Sequence, residues 1–316
     1  MAHVLGKGTK IGAAREVTFG SPESRTLWFD VLSCDLREDT SWVPVEGLSD
    51  IESGPVGREM YASGADVRGT IRMYPTFEGF GFWLRQICGP AAVTTGASSP
   101  YSHAQGIADA LTSATLELIR GSSGNSEVFN GVVVNRAVLT MEAGRLADLS
   151  VEVLGRASGG RSSAPTVSLA STRERRVSFA HAGTLAWNST TRTCRRVTLT
   201  IDNKLAVRRE LGSLYTLLPT RTGPAEVTLD LDLSYEDDAL YTAHRAGTRS
   251  DASIAFTNGA RSITIALNNT NVDTVSDPMS SWGGLTQTAR LRAMADSTGE
   301  GLTVTTVNTQ SSAEAA

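Results

Sequence analysis

Apolar and polar residues alternate with period two over much of this chain. The cleanest case sets Val227, Leu229, Leu231 and Leu233 against Thr228, Asp230, Asp232 and Ser234, the signature of an antiparallel strand with one buried and one wet face. The runs "TLWFDVL", "TIRMY", "TLELI", "GVVVNRAVLTM", "LSVEVLG", "RRVTLTID", "SITIAL" and "GLTVTTV" read as further strands. Two stretches leave that period for a helical one, "FEGFGFWLRQICG" at 77–89 and "YEDDALYTAHRAG" at 235–247. In the second, Glu236, Asp237 and Asp238 are expected in the first turn, where acids complement the helix dipole, and Gly247 stands where a helix C-cap belongs.

The two helical stretches each follow a strand, and residues 68–89 superpose on 226–247 without a gap at an offset of 158: Thr70 on Thr228, Ile71 on Leu229, Met73 on Leu231, Glu78 on Glu236, Trp83 on Tyr241 and Gly89 on Gly247. Downstream, "TLELIRG" answers "SIAFTNG", and "LADLSVEVLG" answers "TQTARLRAMA". Upstream, "RTLWFDVLSCDLRED" answers "CRRVTLTIDNKLAVR" more roughly. The expected organisation is mainly β: an amino-terminal arm (1–24), two tandem copies of a β-sandwich or barrel-like domain with one helix each (25–158 and 175–310), a Gly/Ser-rich linker between them (159–174), and a short tail (311–316).

Composition narrows the chemistry. With 316 residues, 40% of them hydrophobic, the chain can build a sizeable core. It has no 18-residue apolar run and no secretory signal pattern, so a soluble protein folding in a reducing cytoplasm is expected. Cys34, Cys88 and Cys194 are odd in number and far apart, which fits neither a disulfide framework nor a Cys-x-x-Cys metal site. A net charge of -4 gives no basic field to grip nucleic acid. "LGKGTKIG" at 5–12 has glycines beside a lysine but misses both the P-loop and the dinucleotide spacing. The four histidines are scattered and no G-x-S-x-G elbow is present. The acids around Asp230 to Asp238 divide between a strand's outer face and a helix start. "RERR" at 173–176 lacks interleaved aromatics for stacking bases. No catalytic residue, metal or cofactor is expected.

Two apolar loop segments remain. Residues 38–67 carry Trp42, Val43, Pro44 and Val45 among turn formers, and the corresponding part of the second copy carries Leu211, Leu214, Tyr215, Leu217 and Leu218. Apolar loops on both copies point to docking on a partner.

Taken together, "MAHVLGKGTKIGAA", "PTFEGFGFWLRQICG", "TLELIRG", "FNGVVVNRAVLTMEAGRLADLSVEVLG" and the tail "NTQSSAEAA" give a layout that resembles the tail tube (major tail) proteins of long-tailed bacteriophages over nearly the whole chain. The resemblance implies a structural virion protein, assembled in the host bacterial cytoplasm, whose sheets join those of neighbouring copies into a ring lined by a β-barrel. The rings stack into the tube that delivers DNA. It further implies a tape measure protein inside the tube, terminator and distal tail proteins at its ends, and double-stranded DNA passing without sequence-specific binding. On that footing the two loop segments become ring-stacking candidates, and Leu5, Lys7, Lys10 and Ile11 become contacts of a mobile arm. Asp230, Asp232 and Arg72 become candidates for the lumen lining. Two copies per chain predict trimeric, pseudo-six-fold rings, with hexamers as the alternative. Other readings kept open are a terminator, decoration or secretion-tube protein, and a β-rich carbohydrate-binding module.

Overall fold

The computed structural model describes residues 6–45, 59–90, 92–121, 125–165, 167, 176–277, 284–297 and 299–312. The first part of the chain runs β1 (Lys10–Arg15), β2 (Leu27–Asp30), β3 (Ser33–Cys34), β4 (Arg37–Pro44), β5 (Met60–Met73), α1 (Phe80–Cys88), β6 (Ala92–Thr95), β7 (Tyr101–Gly106), β8 (Ala114–Ile119), β9 (Asn125–Glu142), β10 (Asp148–Gly155) and β11 (Ala157–Ser163). The second runs β12 (Ala182–Trp187), β13 (Thr190–Arg192), β14 (Cys194–Asp202), β15 (Leu205–Ala206), β16 (Thr220–Arg221), β17 (Glu226–Ser234), α2 (Ala239–Ala246), β18 (Ser250–Asn258), β19 (Arg261–Ser276), β20 (Thr286–Arg292) and β21 (Leu302–Asn308). The protein is mainly β, and every run read as a strand from its alternation lies in a strand or overlaps one.

The pairing follows one scheme twice. A large antiparallel sheet has the order β3/β4, β5, β10, β9, β14, β17, β20, β19. Its first four positions and its last four are built in the same way, with the edge strand followed by the strand that leads into the helix. On the amino-terminal half of β9 a smaller sheet continues as β2, β1, β8, β9, β11, and on the amino-terminal half of β19 another continues as β13, β12, β18, β19, β21. The second is extended by β7 and β6, which come from the first part of the chain. The long strands β9 and β19 must therefore turn from a small sheet into the large one. Gly131 (φ 64°) lies at the turn of β9 and Asn269 (φ 51°) at that of β19. Both are left-handed positions, which only glycine and asparagine adopt readily.

Helix positions follow the expected offset: α1 and α2 lie on residues that correspond at 158. The upstream register does not. Ser33 pairs with Arg72 and Thr198 pairs with Asp230, so β3 corresponds to β14 at an offset of 165 rather than the 169 implied by aligning the two sequences.

Several expectations are corrected. The arm does not extend to residue 24, because Lys10 to Arg15 form β1 between β2 and β8, with Ile11 and Ala13 fully buried. Ile11 to Ala14, small or branched and all buried, fit an interior strand, and Lys7 just before it and Lys10 at its start do not make the segment loose. Most of the "ASGGRSSAP" stretch is not linker but the edge strand β11, whose small polar side chains cost little on an exposed edge. Residues 38–67 are not a loop throughout, since Glu38 to Pro44 pair with Met60 to Val67 as a two-stranded ribbon. The acids before α2 precede the helix instead of occupying its first turn: Asp238 is the N-cap position, and the Asp237 carboxylate accepts from Ala239 N at 2.9 Å. Gly247 does cap the C-terminus, with φ 64°. Finally, one apolar core runs through both halves, and the sheets stay open within the chain instead of closing into a barrel.

Candidate assembly surfaces

The large sheet has two different faces. One buries Val67, Ile71, Met73, Leu149, Val151, Ala137, Leu139, Val197, Leu199, Ile201, Leu229, Leu231, Ala289 and Leu291. The other is polar across all eight strand positions, because side chains one residue along a strand point the opposite way. Arg72, Asp230 and Asp232, expected apart in two copies, share this polar face with Thr70, Ser150, Thr140, Thr198, Thr288 and Arg290.

Several of its charges are neutralised in pairs. Arg72 Nη2 binds Asp148 Oδ2, and Arg290 forks onto Asp230 at 2.6 and 3.1 Å. Arg292 bridges Asp273 and Glu226 at 2.6 Å each, and Lys204 reaches Glu226 at 2.7 Å. Hydrogen bonding to these carboxylates raises the Arg72 and Arg290 pKa values further, so the guanidiniums stay charged. The Arg72 and Arg290 side chains remain 53% and 51% exposed. Ions this wet add little stability. What they do is leave a hydrophilic surface of alternating sign.

The apolar loop candidates meet at one place. Trp42 (57% exposed), Val43 (52%) and Pro44 lie at the end of the β4–β5 ribbon, opposite Ala62, Tyr61 (63%) and Met60 (60%). Val45 N bonds Glu59 O just beyond them, and residues 46–58 lie outside the described residues. The segment between β15 and β16 folds against the same ribbon: Ala65 bridges Tyr215, Ala65 N bonds Leu214 O at 2.9 Å, and Arg209 and Arg68 grip the buried Asp66 carboxylate. Leu211, Leu214 and Leu218 stay exposed, while Tyr215 and Leu217 are half-buried.

The arm candidates separate. Leu5 lies outside the described residues. Lys7 is exposed, Lys10 Nζ donates to Val167 O at 3.0 Å, and Ile11 belongs to the core. Thr9 holds Gly121 N at 3.2 Å, which ties this end to the β8–β9 hairpin.

Other residues that organise these surfaces were not legible as such. Glu78, buried beside α1, receives Arg261 Nε and Thr309 Oγ1 from the second half. Burial alone would raise its pKa, but these hydrogen bonds outweigh it and hold the carboxyl below its usual value. Asn203, fully buried, donates to Ile87 O and Val134 O at 2.9 and 3.0 Å and receives Arg221 at 2.7 Å. The alignment of Glu78 with Glu236 was the one available signal, and it suggested a helix start instead of a joint. Burial drives the thiols of Cys34 and Cys194 up to about 11 and that of Cys88 to about 12, so all three are protonated and weakly nucleophilic at neutral pH. Among the described residues no group of three or more His, Cys, Asp or Glu side chains could hold a metal ion, and no helix is long and apolar enough to cross a membrane.

Open sheet edges, a paired-charge polar face and exposed apolar ribbons describe a part made to be joined to other copies. A search of curated proteins finds no match. A family model described as phage tail tube protein matches residues 6–307, nearly the whole chain, and it bears out both the structural role and the place in the virion tail: this chain belongs to the phage tail tube protein family.

Proposed function

We propose that this chain builds its tube from rings of three copies, each copy filling two of six quasi-equivalent positions as a pair of tandem units, and acts there as a structural subunit without enzymatic activity. The observation that carries the reading is the large sheet, in which one four-strand unit occurs twice and is joined to itself by the β9–β14 pairing. A unit that joins edge to edge inside the chain and leaves the same two kinds of edge open outside it is suited to head-to-tail closure.

Size favours three copies. Each chain offers eight strand positions, so three supply 3 × 8 = 24. With strands about 4.8 Å apart and tilted about 40°, a closed barrel of that count is about 50 Å across between backbones, and six chains would make it about 95 Å. The narrower barrel leaves, inside its side chains, a bore suited to one DNA duplex. In this reading the polar face with Arg72, Asp230 and Asp232 lines the bore, and its paired charges let DNA slide. The Trp42 and Leu211 regions contact the next ring, as do residues near Lys7. The same reading places assembly in the host cytoplasm, a tape measure protein in the bore, and terminator and distal tail proteins at the tube ends. Native mass measurement together with top views of assembled rings tests it. Three chains per ring are expected, and six would reject the proposal.

A further inference from the structure

The two halves of the chain are joined by the pairing of β9 with β14. In β9 and β14 the pairs run Met141 with Val197, Thr140 with Thr198, Leu139 with Leu199, Val138 with Thr200, Ala137 with Ile201 and Arg136 with Asp202. Two flanking hydrogen bonds, Asn203 N to Asn135 O and Ala143 N to Arg195 O, show that Ala137, Leu139 and Met141 direct their backbone groups at β14.

Each side of this joint has a counterpart that is open. The carboxy-terminal half of β9 lies between β10 and β14, whereas that of β19 has β20 on one side and no strand on the other among the described residues. Matching β10 to β20 through their common partners, β5 and β17, places Val272, Val275 and Asp277 where β9 has Ala137, Leu139 and Met141, with one extra residue, Asp273, in a bulge. In the same way Leu32, Cys34 and Leu36 stand where β14 has Val197, Leu199 and Ile201. Asp35 N bonds Thr70 O, so Asp35 faces β5, and the backbone groups of Cys34 and Leu36 face outward; Leu32 N bonds Arg72 O at 2.7 Å, so the outward run of N–H groups begins at Cys34. Leu32 is 46% exposed where its counterpart Val197, inside the joint, is 3%, while Leu36 and Val272 are already buried within the chain, as their counterparts Ile201 and Ala137 are.

We infer that the β19 edge of one copy pairs antiparallel with residues 32–37 of the next, in the register of the internal joint, with Val275 opposite Cys34, Val272 opposite Leu36, Thr274 opposite Asp35 and Ser276 opposite Ser33. The inference rests on the ring reading above and adds which edges meet and in what register. The chemistry of the two edges is complementary. Val272 and Val275 meet Leu36 and Cys34 on the buried face, and Ser276 and Thr274 meet Ser33 and Asp35 on the polar face, with no like charges opposed. The one unmatched pair, Leu32 with Asp277, falls at the end of the run. A shift of one residue would turn Leu36 and Val275 onto the polar face, so the register is specified. In the single chain the outward Val272 carbonyl is occupied by His244, whose Nδ1–H donates to it at 2.7 Å. That contact blunts an edge that would otherwise pair indiscriminately.

Cys34 makes a direct test possible, since directly opposed residues of an antiparallel pair lie within disulfide reach, at about 5.5 Å between Cα atoms. Val275→Cys is introduced into the full chain, the rings are counted by native mass, and the assembled material is oxidised and run without reductant. The expected result is that most of the protein moves from monomer to a ladder ending at three chains, and that adding Cys34→Ser returns it to monomer. Leu36→Cys with Val272→Cys is the second, independent pair. Three-chain rings in which neither pair links beyond the wild-type background, or in which Ser276→Cys links to Cys34 as well as Val275→Cys does, overturn the register and leave the ring reading standing. A ring count other than three, or a ladder running past three, overturns the ring reading itself.

Discussion

Helices α1 and α2 occupy corresponding places in the pairing scheme, yet one is enclosed and the other is not. In α1, eight of nine residues are buried, Arg85 being the exception. Phe29 packs on Phe82 and Trp83 with ring centroids 5.9 and 5.6 Å apart, and Phe77 meets His181 edge-on at 5.4 Å. The second half supplies much of the cover: His181, Asn203, Arg261, Asn308 and Thr309 all reach residues 77–87. In α2 only Leu240 and Ala243 are buried, and Tyr241, which corresponds to Trp83, is 43% exposed with Arg245 over its ring. The difference shows that what surrounds the helix decides its composition. A helix covered on all sides can be apolar all round, whereas one with an outer side in water must be amphipathic. Whatever covers α2 in an assembly therefore meets a partly polar surface, as befits a contact made after folding.

The contrast is most exposed to truncation of matched core residues. Phe82→Ala should cost about 3–5 kcal/mol and Leu240→Ala about 2–5, with the first at the high end because Phe82 also loses ring contacts with Phe29 and Trp83. Urea unfolding of the unassembled protein measures both, and a larger loss at Leu240 would mean that α2 is the better supported helix. A smaller effect is expected from the joint beside α1. Glu78→Gln leaves Arg261 a poorer partner and should cost about 1–3 kcal/mol, while Glu236→Gln, at the exposed counterpart, should be nearly silent.

The pH dependence tests the Glu78 joint in a second way. The Glu78 carboxyl is held below its usual value in the folded chain. Its contribution to stability is therefore complete above the unfolded value of about 4.3 and is lost as pH falls through the lower folded value. Wild-type stability should fall more steeply with acidification below about pH 4.3 than that of Glu78→Gln. Equal slopes in the two proteins would remove Glu78 from the account.

How much of this was readable in advance depended on range. The β17 strand, with its strict alternation, and the helix pair at offset 158 were plain, because period and spacing are local properties. The upstream offset was misjudged by four residues, since β3 and β14 share a buried pattern but few residue types, and only their partners β5 and β17 fix the register. β1 and β11 were mistaken for arm and linker. One is a short interior strand whose glycine and alanines carry little hydrophobic signal, and the other is an exposed edge of glycines and serines. Asp230 and Asp232 could be read as outward from the alternation of their strand, and Arg72 only as the residue aligned with Asp230; that the three share one face depends on the β9–β14 joint, which no local pattern encodes. The same holds for the ribbon strand that carries Ala65 and receives Leu214 and Tyr215 from the segment between β15 and β16.

The finest discrimination concerns Tyr241. Its ring is half in water in the single chain, so Tyr241→Ala should change the unfolding free energy by about 0.5 kcal/mol or less, as surface substitutions do. Its counterpart Trp83 packs on Phe29 and Phe82, on a helix whose two ends the second half of the chain reaches at Phe77, Glu78 and Ile87, and in a closed ring the outer side of α2 stands in the corresponding relation to the following copy. If that copy covers it, the variant should fold normally yet release subunits from assembled rings at a lower denaturant concentration than wild type. Sedimentation of rings across a mild urea series reads this directly. Unchanged ring stability would mean that the side of α2 bearing Tyr241 stays in water even in the tube, and that the likeness between the two helices ends with their place in the chain.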